Sequence, residues 1–305
     1  MRRLALFPAI PIAEKFLRSC VILFFLFPSV LSAQTLAGII DVHVHADPDS
    51  RARTMDVIDV AKLAKAQGMR GLVFKNHNES TVTAAYLVRK EVPGLEAFGS
   101  ITLNLTVGGM NAAAVEEMAS VKGGWGKVVC MPTEDSEYWV ARSKQARAFV
   151  PVTHNGQLTS EVKKVLAVVA KRQLTLATGH ISPEESLLLI REARSMGIDR
   201  IVVDQAMTVK MTLPQMQQAA KMGAYIEFVY DAVWDKRHTA QEYATAIRAI
   251  GPEHCILSSD LAQLGYPQSP DGFTDYIKIL RGQGFKQSEI DQMAKTNPAT
   301  LLGLS

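Results

Sequence analysis

Residues 38–45 read Gly-Ile-Ile-Asp-Val-His-Val-His, an apolar run of strand length that ends in two histidines spaced i, i+2. Positions i and i+2 of a strand point to one side, so His43 and His45 present both imidazoles to the same space. Seven further runs outward from it have this form: Arg70 to His77, Glu96 to Asn104, Gly126 to Pro132, Gln173 to His180, Arg200 to Gln205, Ala224 to Tyr230 and Cys255 to Asp260. Each apolar stretch closes on polar residues and is followed by a helical pattern, the alternation of βα units. Helices are predicted over Met55 to Ala66, Ala112 to Val121 and Leu213 to Lys221, ahead of Gly68, Gly123-Gly124 and Gly223, because glycine supplies the left-handed C-cap. Another opens at Ser160 and ends near Lys171. Eight such units in roughly 260 residues, with no linker dividing them, predict one closed (β/α)8 TIM barrel in place of an open doubly wound sheet. The stretch from Thr133 to Leu158 departs from the repeat: Val150-Pro-Val-Thr-His154 meets Asn155-Gly156, a type I′ turn signal. A hairpin-containing insertion after strand 4 is therefore expected.

The N-terminus reads as an address. Arg2, Arg3, Lys15 and Arg18 precede an apolar run, Cys20 to Leu31, and Ser32-Ala33-Gln34 follows it. This is the three-part pattern of a secretory signal peptide, and the run is short for a spanning helix of about 20 residues. Cleavage near Ala33 would leave residues 34–305 as one barrel domain, exported to the periplasm or secreted, without stable membrane insertion. The same five charges, Glu14 included, account for the formal net charge of +3, so the chain beyond residue 33 is neutral. Neutrality argues against nucleic acid or a polybasic membrane contact as partner and leaves a small-molecule substrate, with homo-oligomerisation open. Only Cys130 and Cys255 remain after residue 33, too few for a disulfide framework, and their strands lie on opposite sides of an eight-strand ring.

A barrel enzyme carries its chemistry at the C-terminal ends of its strands, where the βα loops converge. Strand 1 ends in His43-Val44-His45, strand 2 in Lys75-Asn76-His77, strand 5 in Gly179-His180 and strand 8 in Ser259-Asp260. A closed ring brings Asp260 beside the His43–His45 pair and sets His180 across the mouth. A His-His-His-Asp set suits Zn²⁺, with Mn²⁺ or Fe²⁺ as alternatives. Lys75 and His77 share a face of strand 2 and join the candidate metal set; a structural alternative pairs Lys75 with Glu227 on strand 7. His154 beside a turn, His238 in a loop and His254 at a strand start are set aside.

Asp41-Val-His43-Val-His45, Thr178-Gly179-His180, Ser259-Asp260 and the closing Asn297-Pro-Ala-Thr-Leu-Leu-Gly-Leu304 together resemble the amidohydrolase superfamily of metal-dependent hydrolases. Phe74-Lys75-Asn76-His77 with Ser80-Thr81, and Ala177-Thr178-Gly179-His180, look like a poorly characterised branch of it. The resemblance spans residues 38 to 305 and implies a (β/α)8 barrel with a metal-activated water attacking a carbonyl or phosphorus centre. It also implies a bridging Lys or Glu on strand 4, where only Glu134 is at hand, and a histidine ending strand 6, where this chain has Gln205. A neutral amide oxygen is a weak ligand for Zn²⁺. That favours a mononuclear site on His43, His45, His180 and Asp260, with Asp204 as an extra carboxylate.

Asp260 is the expected general base, passing the water proton to the leaving group. Arg51 and Arg53, in the loop directly after the His pair, are the candidates to bind a substrate carboxylate or phosphate. Three classes follow: a hydrolase of amides, lactones or related bonds; a phosphoesterase of the polymerase-and-histidinol-phosphatase type; and a barrel that binds ligand without catalysis.

Overall fold

The computed structural model describes residues 36–304; the expected signal peptide, residues 1–33, lies outside them. Eight parallel strands follow one another in chain order: β1 Ile40–Val44, β2 Gly71–Phe74, β3 Glu96–Thr102, β4 Gly126–Cys130, β5 Thr175–Ala177, β6 Ile201–Val203, β7 Tyr225–Val229 and β8 Cys255–Ser258. Each lies within one of the runs read from the sequence. The polar ends fall outside the ladder because the backbone turns there: Gln205 and Asp260 adopt left-handed φ of 44° and 51°. The ring closes through the residues just beyond β8. Asp260 N donates to His43 O at 2.9 Å and His45 N to Leu261 O at 3.1 Å, and Val44 bridges Leu261 in parallel.

The helices form where the sequence supplies both a cap and an apolar stripe. Ser182 and Glu185 make a reciprocal capping box with Pro183 at the first helical position of Pro183–Ser195, and Thr212 with Gln215 does the same for Leu213–Lys221. Gly68, Gly123 and Gly223 hold positive φ past their helices, whereas Ser160–Arg172 ends on a left-handed Gln173. Among the described residues no helix is long and apolar enough to cross a membrane.

Two apolar layers result. Ile40, Val42, Val73, Phe98, Val128, Cys130, Ala177, Val202 and Ile256 fill the barrel with Leu301 and Leu302 of the last helix, Asn297–Leu302. Thr175 Oγ1 donates to Leu301 O at 2.7 Å and Asn297 Nδ2 to Cys255 O at 2.6 Å, which tethers that helix to the strands. The larger layer packs helices on the outer face of the sheet. Cys130 and Cys255 are buried free thiols. Between β4 and Ser160–Arg172 lie a helix, Glu137–Ser143, and a two-residue ladder pairing Thr153–His154 with Gln157–Leu158; Asn155 and Gly156 both have positive φ, as a type I′ turn requires.

Candidate metal centre

Asp41 positions the site before any ligand is considered. Its Oδ1 accepts from His43 N at 3.2 Å and from Ser259 N at 3.0 Å, and its Oδ2 from Ser269 Oγ at 2.8 Å. This carboxylate clips β1 to the end of β8. Burial raises its pKa to about 6 against the pull of those hydrogen bonds.

The clip brings His43, His45 and Asp260 together, with ligand atoms all within 4.8 Å of one another. Asp260 Oδ1 lies 2.9 Å from His45 Nε2 and 3.4 Å from His43 Nε2. On its far side, His43 Nδ1 stands 3.1 Å from Glu227 Oε1, which also accepts from Ser258 Oγ at 2.7 Å. A carboxylate on the outer nitrogen fixes the tautomer that leaves Nε2 as a lone pair, the usual support of a metal-binding histidine. Burial depresses His43, but the charges of Asp260 and Glu227 outweigh it and lift its pKa to about 9. His45 is pushed far down by burial. Burial raises Asp260, yet the charge of His43 and the hydrogen bond from His45 hold it below the ordinary carboxylate value. Two buried imidazole nitrogens facing one carboxylate oxygen, with the outer nitrogen of His43 held by Glu227, form a donor set that fits a divalent metal ion.

His77 and His180 extend the row of imidazoles. Ring centroids are 4.9 Å apart for His45 and His77 and 6.2 Å for His77 and His180. His77 Nδ1 lies 2.9 Å from Thr133 Oγ1. Burial brings His180 down to about 3, and its Nδ1 is buried without a hydrogen-bond partner. The compact trio thus excludes His180 and His77, which stand next to it.

Lys75 pairs elsewhere than with Glu227: its Nζ meets Asp204 Oδ1 at 2.8 Å, with both side chains buried. The reason is geometric, since Glu227 is already engaged by His43 and Ser258, while Asp204 at the end of β6 faces the end of β2. Burial disfavours the Lys75 charge, but Asp204 more than restores it, so the nitrogen is a cation in an ion pair and stands 3.5 Å from His43 Nδ1. Arg51 forms an ion pair with Glu134, which joins the loop after β1 to the one after β4. Arg53 is buried against Asp49, with Nη2 2.6 Å from Oδ2 and 3.4 Å from His45 Nδ1. His154 is exposed and His238 lies beside Glu242, both away from the cluster.

Several site residues went unread in the sequence. Trp139 packs its ring 4.7 Å from that of His180, and Ser136 Oγ donates to His180 O at 2.6 Å, so the segment after β4 forms a wall of the mouth. Asp231 is buried beyond β7, ion-paired to Arg237, and lifted to about 8 by burial and by Asp260. A lone acid in an apolar strand, as in Ile226-Glu227-Phe228, was the available signal for Glu227 as a site residue; Trp139 had none.

An eight-stranded parallel barrel with imidazoles and carboxylates at the strand ends defines the class, and solved structures share the fold. The organophosphorus hydrolase from Deinococcus radiodurans superposes with a TM-score of 0.61 at 15% identity, covering 88% of this chain and 93% of that one. A structure described as organophosphate hydrolysis activity engineered from a weak promiscuous lactonase template gives 0.60 at 16% identity over 88% and 96%. A putative 2-pyrone-4,6-dicarboxylic acid hydrolase from Pseudomonas putida gives 0.60 at 13% identity over 87% and 97%. No curated protein matches the sequence. Residues 38–227 match the family of unknown function DUF6282, and the chain belongs to that family.

Proposed function

We propose that the chain is a metal-dependent hydrolase of the amidohydrolase type, acting on an amide, lactone or related carbonyl bond of a small molecule. The observation that carries this reading is the single carboxylate oxygen, Asp260 Oδ1, set 2.9 Å and 3.4 Å from the inner nitrogens of His45 and His43. His43, His45 and Asp260 would hold the ion, with His180 beside them; Zn²⁺ suits two imidazoles and a carboxylate best, ahead of Mn²⁺ or Fe²⁺. Bound there, a divalent cation supplies Lewis acidity, polarising the scissile bond and lowering the pKa of a water. Asp260, kept ionised, takes the proton from that water and delivers it to the leaving group. Glu227 orients His43. Lys75 neutralises Asp204, so the pair sits beneath the reaction without ligating. Arg51, whose side chain is 47% exposed, can exchange Glu134 for a substrate carboxylate or phosphate, while Arg53 braces His45 from its pair with Asp49.

Fold likeness to hydrolases acting on organophosphates and lactones brings both centres into the test. Protein purified without chelator is assayed for metal content and for turnover of lactones, amides and phosphate esters. Metal with carbonyl turnover supports the reading, metal with phosphatase activity alone supports the phosphoesterase, and a metal-free, inactive protein supports a binding barrel. Asp260→Asn is the sharper probe. Asn tolerates the left-handed φ of this position, so the backbone stays put, while the lost proton acceptor and the weaker amide ligand lower the rate by about 10²-fold or more. Export is part of the proposal, and N-terminal sequencing of the exported protein should begin near Gln34; a chain that keeps residues 1 to 20 contradicts it.

A further inference from the structure

Gln205 stands where the amidohydrolase resemblance calls for a histidine, and its geometry gives it a definite task. It follows β6 in a left-handed conformation, is 6% exposed, and its backbone N donates to Glu227 Oε2 at 3.0 Å. Its Nε2 donates to Asp260 Oδ2 at 2.7 Å and lies 3.4 Å from His180 Nε2. An amide nitrogen has two hydrogens to give and no lone pair to offer a cation. Both neighbours therefore present lone pairs to it, the same lone pairs that a cation placed between Asp260 and His180 would use.

We infer that Gln205 is a specificity-determining residue for metal stoichiometry: its amide bridges Asp260 and His180 in place of a second ion and limits the centre to one divalent cation. The inference rests on the metal-dependent reading above. The test is to load the full chain with excess Zn²⁺, desalt it, and count metal by elemental analysis, with a Co²⁺ absorbance titration in parallel. Wild type should retain one equivalent. No retained metal overturns the metal-dependent reading itself, whereas two equivalents in wild type overturn only the role of Gln205. Gln205→Glu replaces the donor by a carboxylate pressed against Asp260 and should raise retention to two equivalents. Gln205→His, which offers a lone pair without added charge, should do the same and serves where Gln205→Glu does not fold. A folded variant of either kind that stays at one equivalent overturns the inference.

Discussion

Replacing Lys75 by Met separates an ion pair from a metal ligand. The Lys75 and Asp204 side chains are 4% and 1% exposed, with Nζ 2.8 Å from Oδ1. Removing one partner of a buried pair costs about 3–5 kcal/mol because the other charge is left uncompensated. Asp204 is not wholly abandoned, since Oδ2 still accepts from Gly179 N at 2.9 Å and from Cys130 Sγ at 3.2 Å. The cost should therefore fall near the lower end, about 3 kcal/mol. At roughly 2–4 °C per kcal/mol for a domain of this size, that is a Tm lower by about 6–12 °C. Lys75→Met/Asp204→Asn removes both charges and should recover more than half of the loss, which a double-mutant cycle in urea reads directly. Metal content should be unchanged in Lys75→Met. A variant within about 0.5 kcal/mol of wild type that has lost its metal would refute the ion-pair assignment and make Lys75 a ligand.

Three further outcomes follow from the same site. His43→Ala or His45→Ala should strip the metal and abolish turnover, while His154→Ala and His238→Ala keep both; loss of metal in the controls together with retention in His43→Ala/His45→Ala would move the ion elsewhere. In metal-stripped protein, His43 is lifted from its ordinary pKa of 6.5 to about 9, against burial, by Asp260 and Glu227. A raised folded pKa means stability fully present below 6.5 and lost as pH rises through about 9, so the urea midpoint should fall across that window. Glu227→Gln should shrink the fall, and a midpoint that rises across the window contradicts the charge assignment. Burial raises the thiols of Cys130 and Cys255, so in a chain beginning at Gln34 neither should react with a thiol reagent until denaturant is added, when two should titrate.

The fold is legible because the barrel strands are mostly apolar runs that end in polar residues, a pattern that needs no partner to recognise. His43, His45 and Asp260 were legible for the same reason: strand ends converge in a barrel whatever the register. Pairings across the ring were not. Lys75 sees Asp204 rather than Glu227 because of how far β2, β6 and β7 each extend before their backbones turn, and no local pattern records that. Arg51 and Arg53 read as free cations in the loop after β1. Glu134, which pairs with Arg51, comes from the loop after β4, so the neutralisation is visible only in three dimensions. In the sequence Gln205 stands only as a histidine missing from the end of strand 6. Its positive φ and its contact with Asp260 show an amide that acts as a donor, a role that follows from which atom faces the carboxylate.

Building the site and closing the barrel use the same atoms. Asp41 accepts from a backbone nitrogen of β1 and from one just past β8, and Asp260 N donates to His43 O, so Asp260 cannot be placed without joining the two edges of the sheet. The edge that closes is also the weakest ladder of the ring, a single bridge at Val44 and Leu261 with two flanking hydrogen bonds. An ion held by His43 and His45 from one edge and Asp260 from the other would thus cross-link that seam. Binding to the closed form alone stabilises it by RT ln(1 + [L]/Kd), about 4 kcal/mol at a thousandfold excess over Kd. The seam gains most from it, because opening there separates the ligands, whereas fraying of the outer helices leaves them in place. Metal binding should accordingly slow amide exchange first at His45 and Asp260, whose N–H groups cross the seam, ahead of the helices. Uniform slowing across the chain would mean that the ion does not bridge the two edges.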